Sequence, residues 1–232
     1  MRPPATIVQG DGLQWLRDHP AAPGTSAITS LPDLSELPEL SYQAWQHWFV
    51  AAARAVLGWV PASDMAIFYQ SDVLHERAWV SKCHLVMQAA EAEAARLVWH
   101  KIVCRRAPGT STWGRASYSH MLCFTRGEPP PIQAASPDVL PDAGAATWSR
   151  GMGLAACEAA CRYLQKHTGS RRIVDPFCGR GSVLACANAL GFEVIGVELS
   201  RKRCRAARAA ISAAGEVSRS GFARGTARRS RA

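Results

Sequence analysis

Eight cysteines, at 83, 104, 123, 157, 161, 178, 186 and 204, include no Cys-x-x-Cys pair. Cys157 and Cys161 share a helix face but have no second ligand pair in sequence, so the zinc-ribbon pattern is absent. His47, His75 and His100 have no partner at metal-ligand spacing, and no metal is expected. No stretch approaches the roughly 18 apolar residues of a membrane span, and Met1-Arg2-Pro3-Pro4 opens without an apolar signal region. Reduced core thiols, a cytoplasmic location and no membrane partner are the expectation. Acidic residues are scarce at one end. Residues 201–232 hold ten Arg or Lys against Glu216 alone, which leaves 17 basic and 17 acidic residues in the other 200, so all of the formal +9 lies there. A segment of Arg, Ala, Gly and Ser with few aromatics cannot pack a core, which predicts a disordered basic tail over 215–232. It reads either as an arm that binds nucleic acid by releasing counterions or as a solubilising tail.

What is present suffices for one α/β domain: 232 residues, 48% of them hydrophobic. Thr6–Asp11 reads as a strand, with an amphipathic helix starting at Leu13. Ser26–Ser30 is a strand that breaks at Leu31-Pro32-Asp33. Trp45, Trp48, Phe49, Ala52, Val56 and Leu57 recur at helical spacing, predicting a helix from Tyr42 that Gly58 stops. Strands follow at Asp64–Gln70 and Arg96–Val103, around a helix from Lys82 to Ala95. Tyr118–Phe124 is expected as an antiparallel edge. After a Pro-rich connector at 128–142 come a helix (Leu154–Lys166), a strand from Ile173, a helix (Ser182–Leu190), a strand (Phe192–Val197) and a helix over 201–213. Such alternation predicts a doubly wound, mostly parallel sheet of seven strands, with ligand sites at the strands' C-terminal ends.

The most specific segment is Ile173-Val174-Asp175-Pro176-Phe177-Cys178-Gly179-Arg180-Gly181, an apolar strand entering a glycine turn and a helix. Gly179 and Gly181 allow main-chain N–H groups to approach a ligand at the positive end of the helix. Glu198 closes the next strand and suits two ribose hydroxyls. Leu184 stands where a dinucleotide fingerprint has its third glycine, and no dedicated lysine awaits a phosphate, so the pattern fits an adenosine moiety.

Asp-Pro-Phe-Cys-Gly-x-Gly followed by Glu198 resembles the S-adenosylmethionine site of class I methyltransferases. Most of the sheet precedes this motif. That order resembles the circularly permuted amino-methyltransferases acting on cytosine N4 or adenine N6. Gly10-Asp11 is similar to their opening Gly-Asp, Thr29-Ser30-Leu31-Pro32-Asp33 to their T-[DNS]-P-P-[YFW] loop, and Trp99-His100-Lys101 to a recurrent W-H-K. The resemblance spans about residues 6–210. It implies a domain over 1–214, with a catalytic half at about 6–127, a linker at 128–147 and a cofactor half at 148–214. It further implies S-adenosyl-L-methionine as cofactor, held by Asp11, Asp175, Pro176, Phe177, Cys178, Gly179, Gly181 and Glu198, with Asp11 toward the adenine amino group. Transfer would occur at Ser30, Leu31, Pro32 and Asp33.

Two places depart from that family. Asp33 replaces the aromatic that stacks on the target base, so it reads either as a general base for a ring nitrogen or as the cap of the turn that follows. Ser-Leu-Pro is also similar to the Asn-Leu-Pro loop of some transfer-RNA guanine methyltransferases. Trp148-Ser149-Arg150-Gly151-Met152-Gly153 replaces the family's turn into the cofactor half. Gly151 and Gly153 permit a tight turn against the cofactor, around its methionine moiety, or a structural turn that touches no ligand, and Arg150 suits the cofactor carboxylate. Gln70, Asp72 and Lys82 are expected at the same mouth, with Asp72 reading also as a helix cap or loop acid. Lys101, Arg105, Arg106 and Trp113 form a basic loop for phosphate and base stacking, or else a solvated hairpin loop. With no long target-recognition insertion, RNA is favoured as acceptor. DNA, protein or small-molecule methylation and a non-enzymatic nucleic-acid-binding scaffold remain as alternatives.

Overall fold

A computed structural model describes residues 2–131, 136–146, 148 and 151–226, with side chains as far as 214. Arg150, one of the expected cofactor contacts, lies outside the described residues, as does the end of the tail from 227.

Eight strands form one sheet in the spatial order β1 (Ala5–Gln9), β10 (Glu193–Glu198), β9 (Arg172–Asp175), β2 (Thr25–Thr29), β3 (Ala66–Gln70), β7 (Tyr118–Thr125), β6 (Arg96–Cys104) and β8 (Val139–Leu140). Pairing is parallel from β1 through β3 and between β6 and β8, and antiparallel on both sides of β7. The expected mostly parallel α/β sheet is therefore present, with two-residue β8 as an eighth strand. β7 is not the expected edge, because it pairs with β3 on one side and β6 on the other, and it is buried on both faces: Leu122 and Phe124 point one way, Met121 and Cys123 the other. A strand apolar on both sides needs cover on both.

The two faces are packed differently. α2 (Tyr42–Trp59) and α3 (Lys82–Ala92) cover one with Trp45, Phe49, Val56 and Val86 against Phe68 and Phe124. α4 (Leu154–His167), α5 (Ser182–Ala189) and α6 (Arg201–Thr226) cover the other with small groups such as Ala156, Cys157, Ala160, Cys161, Ala187 and Ala207. At the sheet's far end, Asp64 accepts hydrogen bonds from the Gly24 N–H and the Ser170 hydroxyl (2.8 and 2.7 Å), tying β2, β3 and β9 together.

Several boundaries differ from expectation for local reasons. Gly58 does not stop α2, which runs to Trp59 and ends before Pro61, whose ring disfavours helix at the preceding residue. α3 ends at Ala92, and Ala94 takes a left-handed conformation (φ 50°). A hairpin of β4 (Val73–His75) and β5 (Ala78–Val80) adds to the expected elements. Its turn places Glu76 and Arg77 at φ 46° and 68°, a geometry usually signalled by Asn-Gly, so the sequence carries no turn signal. α6 continues to Thr226, past residue 214 where the sequence predicts order to end. No helix among the described residues is long and apolar enough to cross a membrane.

Candidate active site

The C-terminal ends of β1, β10, β9, β2 and β3 open on a single cleft of about 1730 Å³. That exceeds the roughly 300–1,000 Å³ of an ordinary small-molecule site. One wall is the glycine turn after β9. Gly181 caps α5 at φ +75°, and a Cβ there would lie 2.8 Å from Ala207 Cβ. Gly179 is also left-handed, and the Trp148 indole lies beside it. Arg180 and Arg203 stand over that indole at 5.4 and 5.7 Å. Gly151 packs on Trp148 and Gly153 on the Ala143 carbonyl, so both serve the turn itself.

Asp175 is buried and links the two halves of the chain. Its Oδ1 accepts hydrogen bonds from the Thr29 hydroxyl (2.7 Å) and the Phe177 N–H (3.1 Å). Burial pushes its pKa up to about 7, against the pull of those two donors, with the nearby Glu198 charge adding to the rise. Phe177 meets Trp48 of α2 edge to face at 5.9 Å. The Cys178 thiol packs toward Gly196 of β10, and burial pushes its pKa well up, so it is a neutral packing group. Pro176 lends its carbonyl as the floor for Gly12, where a Cβ would come within 2.0 Å. Glu198 is buried, with Oε1 accepting the Ser200 N–H (2.7 Å) and Arg203 3.9 Å from Oε2. Asp11 caps α1 (Gly12–Asp18) by accepting the Gln14 N–H at 2.8 Å and is otherwise exposed at the cleft.

The facing wall is the loop after β2. Ser30 is exposed and its hydroxyl has no hydrogen-bond partner among the described residues. Leu31 is buried against α2, and the Pro32 carbonyl accepts the Trp45 indole N–H (3.2 Å). Asp33 is paired with the ammonium of Lys82 and begins the short 3-10 turn Leu34–Glu36 in a capping box with Glu36. Lys82 is only 3% exposed. Arg203 donates to Glu36 (3.3 Å), so one guanidinium spans from the Glu198 side to this loop.

Ser30, Leu31, Pro32, Asp33, Asp11, Gly151, Gly153, Asp175, Pro176, Phe177, Cys178, Gly179, Glu198, Asp72, Lys82, Arg105, Arg106 and Trp113 all line the cleft. Two expected substrate contacts do not. Gln70 points to the α2–α3 face, in line with Ala66 and Phe68, and its carboxamide is buried without a partner among the described residues. Lys101 is buried and donates to the Ser136 hydroxyl and the Pro137 carbonyl (both 2.8 Å), holding the chain beside β6. Strand alternation turns Gln70 away, a consequence of register that a strand-end assignment misses, and Lys101 lies within β6 rather than in the basic loop that follows it. Arg105 donates to Ser71 (3.2 Å), and Trp113 is 97% exposed.

Gly12 and Arg203 belong to the site without any sign of it in the sequence, and Thr29, which matches the first residue of the T-[DNS]-P-P-[YFW] loop, carries no sign there of its bond to Asp175. Thr29 and Gly12 sit one residue from assigned positions, Ser30 and Asp11, but their roles depend on partners across the sheet. Arg203 is indistinguishable in sequence from the basic tail. Cys83, His100 and His120 also converge, with ligand atoms all within 4.8 Å of one another, although no sequence spacing joins them.

No protein-family model and no curated protein sequence matches the chain. Solved structures do. A putative DNA modification methylase from Thermus thermophilus, complexed with S-adenosyl-L-methionine, superposes with a TM-score of 0.69 at 16% identity, over 91% of this chain and 95% of its own. The PvuII cytosine-N4-specific DNA methyltransferase superposes with a TM-score of 0.67 at 12% identity, over 94% of each chain. The protein has the class I methyltransferase fold that these enzymes share.

Proposed function

We propose that the chain is an S-adenosylmethionine-dependent methyltransferase acting on an amino nitrogen of a nucleobase, in DNA rather than RNA. The observation that carries this reading is the 2.7 Å hydrogen bond from Thr29 to Asp175, which joins the residue before Ser30 to the residue before Pro176. It sets the loop resembling the amino-methyltransferase motif against the glycine turn, across one cleft. The strand order supports the permuted arrangement: β9, which enters the glycine turn, is ninth in the chain yet lies inside the sheet between β10 and β2. The sequence favours RNA only through the lack of an apparent target-recognition insertion. That reasoning weakens because two solved enzymes named for DNA are matched over 95% and 94% of their own length.

The cleft's donors fit the cofactor. Two left-handed glycines open the backbone of the turn, and a buried carboxylate, Glu198, closes the neighbouring strand. Glu198 would hold the ribose hydroxyls and Asp11 the adenine amino group. When bound, the cofactor supplies an electrophilic methyl group. Ser30 Oγ and the Leu31 carbonyl would accept hydrogen bonds from the two N–H groups of the target amine and turn its lone pair toward that methyl, the surplus proton of the methylated nitrogen leaving to solvent in the open cleft, so catalysis is mainly orientation. Asp33 is engaged by Lys82 and by the turn it caps, and we assign it to holding the loop. Trp113, Arg105 and Arg106 flank the mouth as a stacking surface and phosphate contacts.

Calorimetric titration with S-adenosylhomocysteine tests the cofactor half. Binding that is lost in Glu198→Ala is expected, and no binding at millimolar ligand refutes the enzyme reading. Labelled cofactor incubated with genomic DNA, total RNA and protein tests the acceptor. Label in DNA that disappears with Ser30→Ala is expected. Label confined to RNA reverses the nucleic-acid assignment, and label confined to protein ends the nucleobase reading.

A further inference from the structure

Behind the Asp33 loop, on the sheet face covered by α3, the structure brings together Cys83 of α3, His100 of β6 and His120 of β7. Their sulfur and nitrogen atoms all lie within 4.8 Å of one another. His100 Nε2 and His120 Nδ1 are 3.0 Å apart. We infer that Cys83, His100 and His120 form a site for a divalent transition metal of borderline softness, zinc foremost, with its fourth position open to water.

The donor set and spacing agree with that chemistry. Tetrahedral zinc takes imidazole nitrogen at about 2.0–2.1 Å and thiolate sulfur at about 2.3 Å, so its ligand atoms lie roughly 3.3–3.7 Å from each other. Shifts of about an ångström bring these three side chains to that geometry. The far nitrogen of His120, Nε2, lies 3.1 Å from Asp72 Oδ2. A carboxylate there takes the Nε2–H and leaves the Nδ1 lone pair facing His100 and Cys83, the outer-shell arrangement that orients metal-bound histidines. With the thiol as thiolate and Asp72 ionised, two negative charges balance a divalent ion. Next to the cluster, Gln70 stands directly across the strand pair from His120, fully buried, and neither its oxygen nor its nitrogen has a partner among the described residues. A metal-bound water offers the hydrogen-bonding partner that this carboxamide lacks.

Without metal the same groups form a proton chain. Burial works against a charge on His120, but the Asp72 hydrogen bond and charge, followed by Cys83, outweigh it and hold the pKa up at about 9. His100 is lowered, by burial first and then by the His120 charge. A bound metal replaces the protons on the thiol and between the rings. Asp72 Oδ1 also accepts the Lys82 N–H at 2.9 Å, and Lys82 pairs with Asp33. The ion would therefore pin the start of α3 to β6 and β7 and steady the loop that carries Ser30. It takes no part in the proposed transfer.

Cobalt(II) titrated into the metal-stripped full-length protein tests the assignment directly. One equivalent should give a thiolate-to-cobalt charge-transfer band in the near-ultraviolet with tetrahedral bands in the visible, and zinc should displace it. Cys83→Ser should abolish the charge-transfer band, Asp72→Asn should weaken binding by about 10–100-fold, and Cys104→Ser should change neither. Absence of the band at one equivalent, or its survival in Cys83→Ser, overturns the site. Should Cys83→Ser fail to fold, Asp72→Asn decides: unchanged cobalt affinity there refutes the assignment. None of these readings depends on S-adenosylmethionine binding.

Discussion

The two walls of the cleft are built on different principles. The glycine-turn wall depends on backbone: left-handed Gly179 and Gly181, and Gly12 pressed onto the Pro176 carbonyl. The Ser30–Asp33 wall depends on side chains from distant elements: Lys82 under Asp33, Trp45 on the Pro32 carbonyl, and Arg203 on Glu36. A backbone-built wall has nothing that can move aside. A side-chain-built wall can adjust, and its geometry is set by whatever the rest of the fold brings to it.

This contrast predicts a ranked set of effects. The largest concerns Asp175, which joins the two walls. Its folded pKa of about 7 exceeds the roughly 3.9 of an unfolded Asp. A raised carboxyl pKa contributes stability that is fully present below about pH 4 and is lost as pH rises through 7, on the order of 4 kcal/mol in all. Thermal unfolding of wild type and Asp175→Asn between pH 4 and 8 should show the wild type losing ground steadily, and a pH-independent difference would contradict the buried protonated state.

Next, Gly12→Ala should cost about 3 kcal/mol in urea unfolding, since its Cβ meets a main-chain oxygen at 2.0 Å. Gly10→Ala, two residues away with nothing within 4 Å, should stay within about 0.5 kcal/mol. Equal costs would remove the distinction between the walls. On the adjustable wall, Asp33→Ala leaves a buried ammonium unpaired. Breaking a buried pair costs about 3–5 kcal/mol, reduced here to about 2 because Asp33 is partly exposed. Lys82→Met should cost less, since no buried charge is left behind. If Lys82→Met proves the more damaging change, the pair is not what holds the loop. The smallest effect is at the mouth: Arg106→Ala should weaken DNA binding uniformly across sequences and reduce the salt slope by about 1, read by fluorescence anisotropy from low to moderate salt.

Asp175-Pro176-Phe177-Cys178-Gly179-Arg180-Gly181 is legible because its geometry is written locally: an apolar strand, residues that permit left-handed backbone, and a helix start. The β7 position is not legible, since an edge strand and an inner antiparallel strand differ in whether a second strand pairs alongside, which the strand's own residues do not record. Gln70 is misplaced by sequence reasoning for the related reason that a strand-end residue faces the cleft or the core according to register, and Lys101 because it packs within β6 instead of joining the basic loop after it. The β4–β5 hairpin is invisible because Glu76 and Arg77 adopt a turn that their residue types do not advertise.

The alternation of the main strands and helices, the α/β class and the glycine turn follow from periodicity and from the conformational range of a few residues, both of which are properties of short segments. The pairing of Thr29 with Asp175, of Asp33 with Lys82, and of Cys83 with His100 and His120 arises only when segments 146, 49 and up to 37 positions apart are packed together. Short-range preferences carry no record of such neighbours, because each contact is chosen by the energy of the assembled sheet and its covering helices rather than by the residues on either side of it.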